Sequence, residues 1–301
     1  MSEKPAASSL RAWQEALRGV DTSTQLSQAS TAAETVASDI HSYSLPTERA
    51  ETLRAFARSR GLTMATLVQV AWGIVLAELL GRDDVVFGGT VSGRPPQVSG
   101  VESMVGLFIN TVPVRVRLDP RESLAALCIR VQAEQARLSD HHHVGLSHIT
   151  SAVGAAASFD TLTVFESYPV DRGGLSSGTD IAGMHVLDVH DAEDAAHYPL
   201  AIVASAADGR LRLKFEYFPG VLGDHDIDAI ADRLLRTLEL ITAQPDLPLA
   251  KLRLMPDSQV QQLVPARGRQ GRSVRTLDRI FTDTAGWAAE QPALSDRAYR
   301  A

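Results

Sequence analysis

The sequence has a single cysteine, Cys128, among 301 residues. One thiol cannot form an intrachain disulfide, and no spacing of cysteine and histidine in the chain matches a zinc site, so no bound metal is expected. Cys128 falls beside the apolar stripe of a predicted helix and should be buried and unreactive.

Long runs of lysine and arginine are also absent, and the formal net charge is −7, which argues against nucleic acid as a partner.

Long uninterrupted apolar segments are missing as well. The longest apolar run, residues 67–80, contains Gln69, Gly73 and Glu78, which favours a buried core helix over a membrane span. The first thirty residues have neither the basic start nor the apolar centre of a secretory signal. We therefore expect a cytoplasmic protein that does not bind a membrane.

Helical and strand-like patterns alternate along the chain, which predicts an α/β sandwich with a mixed sheet. Strands are expected at residues 40–45, 85–91, 107–118, 159–168, 184–189, 199–205 and 211–218. Helices are expected at residues 10–20, 46–60, 64–80, 124–139 and 224–242. Thr63 and Ser123 are suited to begin two of these helices, and Asp224 or Asp226 to cap the last one.

The stretch 82–118 organises these elements, because two predicted strands flank a loop rich in glycine, proline and serine that a buried strand would not contain. The first strand ends in Ser92-Gly93-Arg94. Glycines at 88, 89 and 93 suit close backbone approaches that a Cβ atom would block. Tight packing is therefore expected around this strand.

Five segments carry a resemblance to a known family. They are RDDVVFGGTVSGR (82–94), VGLFINTVPVRV (105–116), DHHHVGLSHI (140–149), FDTLTVFESYP (159–169) and YPLAIVASAADGRLRLKFEYFPGVLGDHDIDAIADRLLRTL (198–238). In this order and spacing the chain resembles the condensation domains of non-ribosomal peptide synthetases, over about residues 10–254.

The resemblance implies a fold of two lobes, each like chloramphenicol acetyltransferase, with the active site in a tunnel between them. The family's catalytic motif, two histidines followed by three residues and Asp-Gly, belongs to the N-terminal lobe and is absent from this sequence. The matching segments are those of the C-terminal lobe. We therefore expect one α/β two-layer sandwich of that type, with no catalytic residue and no bound cofactor, whose substrates arrive on the phosphopantetheine of carrier proteins.

Four regions are expected along the chain. Residues 1–38 would be the interlobe helix and a flexible lead-in, with no pattern that predicts order in residues 1–9. Residues 39–243 would be the lobe, 244–275 a proline-rich linker, and 276–301 the start of an adenylation domain too short for ATP chemistry. The implied partners are an N-terminal condensation lobe, in trans or missing, peptidyl carrier proteins and the adjacent adenylation domain.

Arg94 is the leading candidate for a functional side chain, together with Ser92 and Gly93 before it. The resemblance implies that the aspartate of the catalytic motif pairs with an arginine of this segment in the opposing lobe. A guanidinium suits a buried carboxylate because it forms bidentate hydrogen bonds and stays charged. The alternative is a solvated loop arginine.

Further candidates for the tunnel wall are Asn110, Thr111, Phe165, Glu166 and Tyr168. Asn110 and Thr111 could contact a pantetheine arm or satisfy neighbouring backbone groups. The other three lie on a strand that lines the tunnel in the family, although aromatic strands are also typical of a core. Residues 173–183 could form the latch that reaches between lobes, or a plain loop.

The cluster Asp140-His141-His142-His143, with His148 nearby, invites interpretation as a general base because imidazole titrates near neutral pH. Asp-Gly does not follow either histidine pair at the required distance. The resemblance matches the cluster to a motif at a helix end, where an imidazolium complements the helix dipole. We therefore favour a structural role over catalysis or metal binding.

The implied function is the C-terminal half of a condensation domain, inactive alone, which supplies the tunnel floor, the latch and the face for the acceptor carrier protein in amide bond formation. An alternative is a degenerate, non-catalytic platform lobe before an adenylation domain in a loading module. A free-standing acyltransferase that uses the histidine cluster is disfavoured by the motif spacing. An exposed apolar surface where the N-terminal lobe would sit favours the catalytic half, because the other lobe must cover that surface. Polar residues there favour the platform.

Overall fold

The computed structural model describes residues 3–27, 38–94, 98–166, 180–181, 184–185, 197–207, 209–255, 279 and 282. The chain divides into two compact units, Met1–Leu254 and Met255–Ala301. The helices and strands given below all belong to the first unit.

The strands form one six-stranded mixed sheet and one small ribbon, so the expected mixed α/β architecture is confirmed. The strands are β1 (Asp39–Leu45), β2 (Asp84–Ser92), β3 (Ile109–Arg117), β4 (Thr161–Glu166), β5 (Asp180–Ile181), β6 (Met184–His185), β7 (Leu200–Ala207) and β8 (Arg210–Tyr217). The order in the large sheet is β1-β8-β7-β4-β2-β3, and β5 pairs with β6. β4 runs parallel to both of its neighbours, and the other pairs are antiparallel.

Six α-helices accompany the strands within the described residues: α1 (Glu3–Ala16), α2 (Thr47–Ser59), α3 (Met64–Leu80), α4 (Leu124–Leu138), α5 (Leu146–Val153) and α6 (Asp224–Ala243). Residues of α2, α3, α4 and α6 form the main core with the inward side chains of the sheet. Each fully buried large apolar side chain in such a core contributes about 1.5–3 kcal/mol. The result is a two-layer sandwich with these four helices on one face of the sheet.

Helix α3 is the centre of this core and is apolar on nearly all sides. The Thr63 side chain accepts a hydrogen bond from the Thr66 N–H at 3.0 Å, which is the predicted N-cap. A Cβ at Gly73 would lie 2.7 Å from Val116 of β3, so glycine lets the helix approach the sheet. No single helix among the described residues is long and apolar enough to cross a membrane.

A second, smaller core lies where α1 and α5 pack near β2 and β3. It contains Trp13 and Leu17 together with Val86, Val112, Val144, Ile149 and Ala157. The prediction that residues 1–9 lack order was wrong for residues 3–9, because α1 begins at Glu3 and Ser9 is buried. The predicted helix therefore exists but starts earlier, and it ends at Ala16, before Gly19 with its left-handed φ of +82°.

Two further expectations differ from the structure. The composition of residues 244–254 predicts a linker, but the N–H groups of Leu124 and Ala125 donate to the carbonyls of Leu247 and Pro245, and Leu254 is buried against the main core. The first compact unit therefore continues to residue 254. Helix α6 has Gly223 rather than an aspartate at its N-cap position, and Asp226 accepts from the Gly223 N–H at 3.0 Å.

Candidate functional site at the base of the loop after strand β2

The loop that follows β2 is closed at its base by backbone contacts. The N–H of Gly93 donates to the carbonyl of Phe108 at 2.6 Å. A Cβ at Gly93 would lie 2.9 Å from that carbonyl oxygen and 3.4 Å from the carbonyl oxygen of His142. Glycine at this position therefore permits a close approach of three backbone segments.

Arg94 holds the loop from inside. Its Nη1 atom donates to the carbonyl oxygens of Val101 and Met104, the latter at 3.0 Å. Its guanidinium carbon lies 4.1 Å from the centre of the Phe108 ring, in a cation–π arrangement. Nε and Nη2 of Arg94 make no hydrogen bond to the described residues. This edge of the guanidinium can donate two parallel hydrogen bonds to a carboxylate.

The rest of the loop presents apolar side chains to solvent. Val105 and Leu107 are 101% and 91% exposed, and Ile109 at the start of β3 is 55% exposed. Val98 and Met104 are also exposed. We call these five residues the apolar crest. A monomeric surface rarely carries several neighbouring exposed apolar side chains without an interaction that covers them.

Asn110 connects β3 to the turn that contains the histidine cluster. Its Nδ2 atom donates to the carbonyl oxygens of His142 and Val144, both at 2.7 Å. The same turn receives a hydrogen bond from Trp13 Nε1 to the His141 carbonyl at 3.2 Å. Asn110 and the indole of α1 therefore fix this turn from two sides.

The side chains of His141, His142 and His143 are partly buried around this turn. His141 Nδ1 lies 3.0 Å from the Ser9 hydroxyl, and burial lowers the pKa of His142, with the neighbouring His141 adding to the effect. The Nδ1 atom of His143 is buried without a hydrogen-bond partner in the described part of the chain. Within that part there is also no group of histidine, cysteine and carboxylate side chains that would hold a metal ion.

Thr111 points to the opposite side of β3 from Asn110, because side chains alternate along a strand. There it hydrogen-bonds Tyr198, whose ring stacks on Phe159 with centroids 6.0 Å apart. Gly88 makes room for this group, since a Cβ there would lie 2.7 Å from Phe159 and 3.1 Å from Thr111. Burial raises the pKa of Tyr198, and the Thr111 hydrogen bond opposes the rise.

Sequence reasoning missed Phe159 and Tyr198 as neighbours of Thr111. Phe159 begins one predicted strand and Tyr198 stands just before another, each at the start of a segment that carried the resemblance, and that position was the available signal. Phe165 packs against the main core, and Glu166 is exposed at the end of β4. Tyr168 and most of the predicted latch lie outside the described residues.

The structure thus brings Ser92, Gly93, Arg94 and Asn110 together at the loop base and places Thr111 and Phe165 elsewhere. A cavity of about 660 Å³ lies away from this site, at the C-terminal end of α3. It is lined by Glu78, Arg82 and Asp83 among others, and no candidate site residue contributes to it. Burial raises the pKa of Glu78 there, and the nearby Arg233 opposes the rise.

Comparison with known proteins gives one consistent family. The family model described as "Condensation domain" matches residues 2–264. A linear gramicidin synthase protein from Brevibacillus parabrevis is 34% identical over 263 residues, which cover 84% of this chain and 3% of that protein. Vanchrobactin synthetase VabF from Vibrio anguillarum is 36% identical over 226 residues, which cover 74% of this chain and 8% of that protein. The chain therefore spans only a small part of the length of each of these relatives.

Solved structures agree with this at the level of the fold. The first condensation domain of the calcium-dependent antibiotic synthetase, in complex with a substrate analogue, superposes with a TM-score of 0.65 at 22% identity. The match covers 84% of this chain and 54% of that one, so the chain spans about half of the solved structure. The X-domain from teicoplanin biosynthesis gives a TM-score of 0.66 at 18% identity over 83% of this chain and 57% of that one. The expected chloramphenicol-acetyltransferase-like fold is confirmed by these neighbours.

Proposed function

This chain belongs to the condensation-domain family, and from that premise we propose that residues 39–254 are the C-terminal lobe of a non-ribosomal peptide synthetase condensation domain. In the complete domain, the amine of an acceptor aminoacyl thioester attacks the carbonyl of a donor acyl thioester. The new amide bond forms as the donor carbon–sulfur bond breaks, and the thiol of the donor phosphopantetheine leaves with a proton. The lobe contributes the tunnel floor and the side on which the acceptor carrier protein docks.

The apolar crest is the observation that carries this proposal. Val105 and Leu107 are almost fully exposed on a loop whose base is closed by Gly93 and Arg94. Because the loop is closed at its base, its apolar side chains stay exposed to water. This exposure has a free-energy cost unless a partner covers the side chains. The N-terminal lobe is the partner we assign to this surface.

Arg94 then has two roles in the proposal. Nη1 and the stacking contact with Phe108 hold the loop, while the Nε–Nη2 edge remains for the carboxylate of the catalytic motif in the other lobe. A guanidinium can hold such a carboxylate in one orientation through two parallel hydrogen bonds. Arg94 is in this sense a positioning residue and not a catalytic one.

The lobe is proposed to be inactive by itself. The sequence has no pair of histidines followed by three residues and Asp-Gly, and His141 and His142 lie in the turn fixed by Trp13 and Asn110. The general base must therefore come from an N-terminal lobe. Donor and acceptor substrates come on carrier proteins in the cytoplasm, an adenylation domain follows from about residue 276, and the lobe itself binds no cofactor.

A platform lobe without catalytic function is the second candidate. It would have the same fold but would gain nothing from an exposed apolar loop. The apolar crest therefore favours the catalytic half over the platform.

Reconstitution tests the proposal. The chain is mixed with a separately expressed N-terminal lobe that carries the two-histidine motif and with loaded donor and acceptor carriers, and peptide formation is followed by intact mass. We expect product from the mixture, none from either lobe alone, and loss of lobe association with the double variant V105S/L107S. Arg94→Ala should abolish product, whereas Arg121→Ala, at an exposed position, should not.

The contrary result is equally specific. A folded chain that neither binds the N-terminal lobe in sedimentation nor yields product would favour the platform. Equal association by wild type and V105S/L107S would remove the role assigned to the apolar crest.

A further inference from the structure

The outer face of β8 carries an unusual row of positive charge. Leu211, Leu213 and Phe215 point into the main core and are 0% exposed, so Arg210, Arg212 and Lys214 point to the face opposite the four core helices. Lys214 Nζ lies 2.7 Å from Glu216, which compensates that charge. Arg210 and Arg212 are exposed, and neither side chain forms an ion pair with a described residue.

The side chains next to Arg212 are short and polar. In the sheet register Arg212 lies between Ser44 of β1 and Ser205 of β7. Paired residues of neighbouring strands point to the same face, so both hydroxyls flank the guanidinium. We call Arg210, Arg212 and these two serines the basic strip. The small flanking side chains leave the guanidinium accessible across the strip.

Arg54 supports the end of the basic strip from α2. Its Nη1 and Nη2 atoms donate to the carbonyl oxygens of Gly209 and Arg210, at 3.0 and 3.2 Å. These bonds fix the start of β8 and bring a third positive charge to that end of the sheet.

The nearest uncompensated carboxylate on this face of the described sheet is Glu166. Glu166 pairs with Ser205, which pairs with Arg212, so it lies two strands away from that arginine. Two strand spacings are roughly 10 Å, which is about one Debye length at 0.1 M salt. Glu166 is therefore too far away to neutralise most of the positive potential of the basic strip.

The spacing of the two arginines fits a helix. Residues two apart on a strand lie about 7 Å from each other on one face. Residues four apart on an α-helix are separated by about 6 Å along the axis. A helix with carboxylates at positions i and i+4 can therefore meet Arg210 and Arg212 together.

We propose that the outer face of β8, through Arg210 and Arg212, docks an acidic helix of a protein partner. The chain has a net charge of −7 and repels an acidic partner over most of its surface. The basic strip is then the place where such a helix is attracted, which sets its orientation as well as its position. The inference is independent of the amide-forming function, because none of its residues lies at the loop base.

The test uses a fluorescent alanine-based helical peptide with glutamate at every fourth position, and fluorescence anisotropy at low and near-physiological salt. Controls are the same peptide with glutamine in place of glutamate, and a peptide with the same glutamates distributed around the helix. We expect the first peptide to bind most tightly, and R210S/R212S to raise its Kd about tenfold or more. The variant R11S/R253S removes the same charge from other exposed positions and should change Kd less than about twofold.

Three results would overturn the proposal. Equal binding by wild type and R210S/R212S, with both folded by circular dichroism, would remove the basic strip as the site. Competition by millimolar inorganic phosphate as effective as by the peptide would make it a small-anion site. Binding that appears only after neutralisation of Asp188, Asp191, Glu193 and Asp194 would make this acidic segment of the same chain the occupant.

Discussion

The side-chain nitrogen of Asn110 lies 2.7 Å from the carbonyl oxygen of His142. This hydrogen bond joins the strand that leaves the apolar crest to the turn after α4. The carbonyl of His142 is also the atom that a Cβ on Gly93 would approach, so both ends of the loop meet at one backbone position. The geometry of the loop base therefore depends on a turn about thirty residues further along the chain.

Asn110→Ala should destabilise the folded protein by about 2 kcal/mol, because it leaves the carbonyls of His142 and Val144 without their donor. Urea unfolding followed by circular dichroism measures the change. Ser92→Ala, at an exposed position of β2, should stay within about 0.5 kcal/mol of wild type. Equal stability of the two variants would show that water replaces the Asn110 amide at no cost.

Gly93→Ala should cost about 1–3 kcal/mol, because the added methyl group would lie 2.9 Å from the Phe108 carbonyl and force the loop base apart. Chymotrypsin should then cut at Leu107 and Phe108 faster than in wild type. Gly220→Ala is the matched control, since a Cβ there meets nothing within 4 Å. A Gly93 variant with the stability and cleavage rate of the control would contradict the close approach.

The elements that sequence predicted well are those specified by their own residues. Helix α3 has a continuous apolar pattern and a threonine cap, and β2 and β3 have β-branched runs that flank glycine and proline. Helix α5 was not predicted, because its eight residues are held by contacts with α1, with β3 and with the turn that follows it. The leucines at 247, 252 and 254 have no regular period, yet they pack against the main core.

At the candidate site, too, the sequence predicted the features that lie in single residues and missed the tertiary contacts. Glycine at position 93 indicated a close approach, because glycine permits backbone contacts that a Cβ atom would block. The partners in that approach, Phe108 and His142, come from tertiary contacts that no local pattern encodes. The hydrogen bonds of Arg94 to its own loop are of the same kind.

His142 should make the stability of the folded protein dependent on pH. Burial lowers its pKa in the folded state, so between that pKa and the ordinary value near 6.5 the unfolded chain binds more protons. The stability that comes from burying the neutral His142 imidazole is therefore fully present above about pH 6.5, and it is lost as the pH falls toward the lowered pKa. His142→Gln should show a stability difference from wild type that shifts in favour of the variant between about pH 8 and about pH 5.5. A difference that stays constant across this range would mean that His142 titrates alike in both states.

Cys128 should be inert toward alkylation in the folded protein. It is fully buried on α4, and burial raises the pKa of its thiol to about 12, so the reactive thiolate is scarce near neutral pH. Iodoacetamide at about pH 8 should leave the native chain unlabelled by intact mass and should add one carbamidomethyl group in concentrated guanidinium. Because Cys128 is the only thiol, each modified molecule reports that one site. Labelling of the native chain at the rate of a free thiol would require that α4 opens locally without global unfolding, and the main core could then no longer be treated as one cooperative unit.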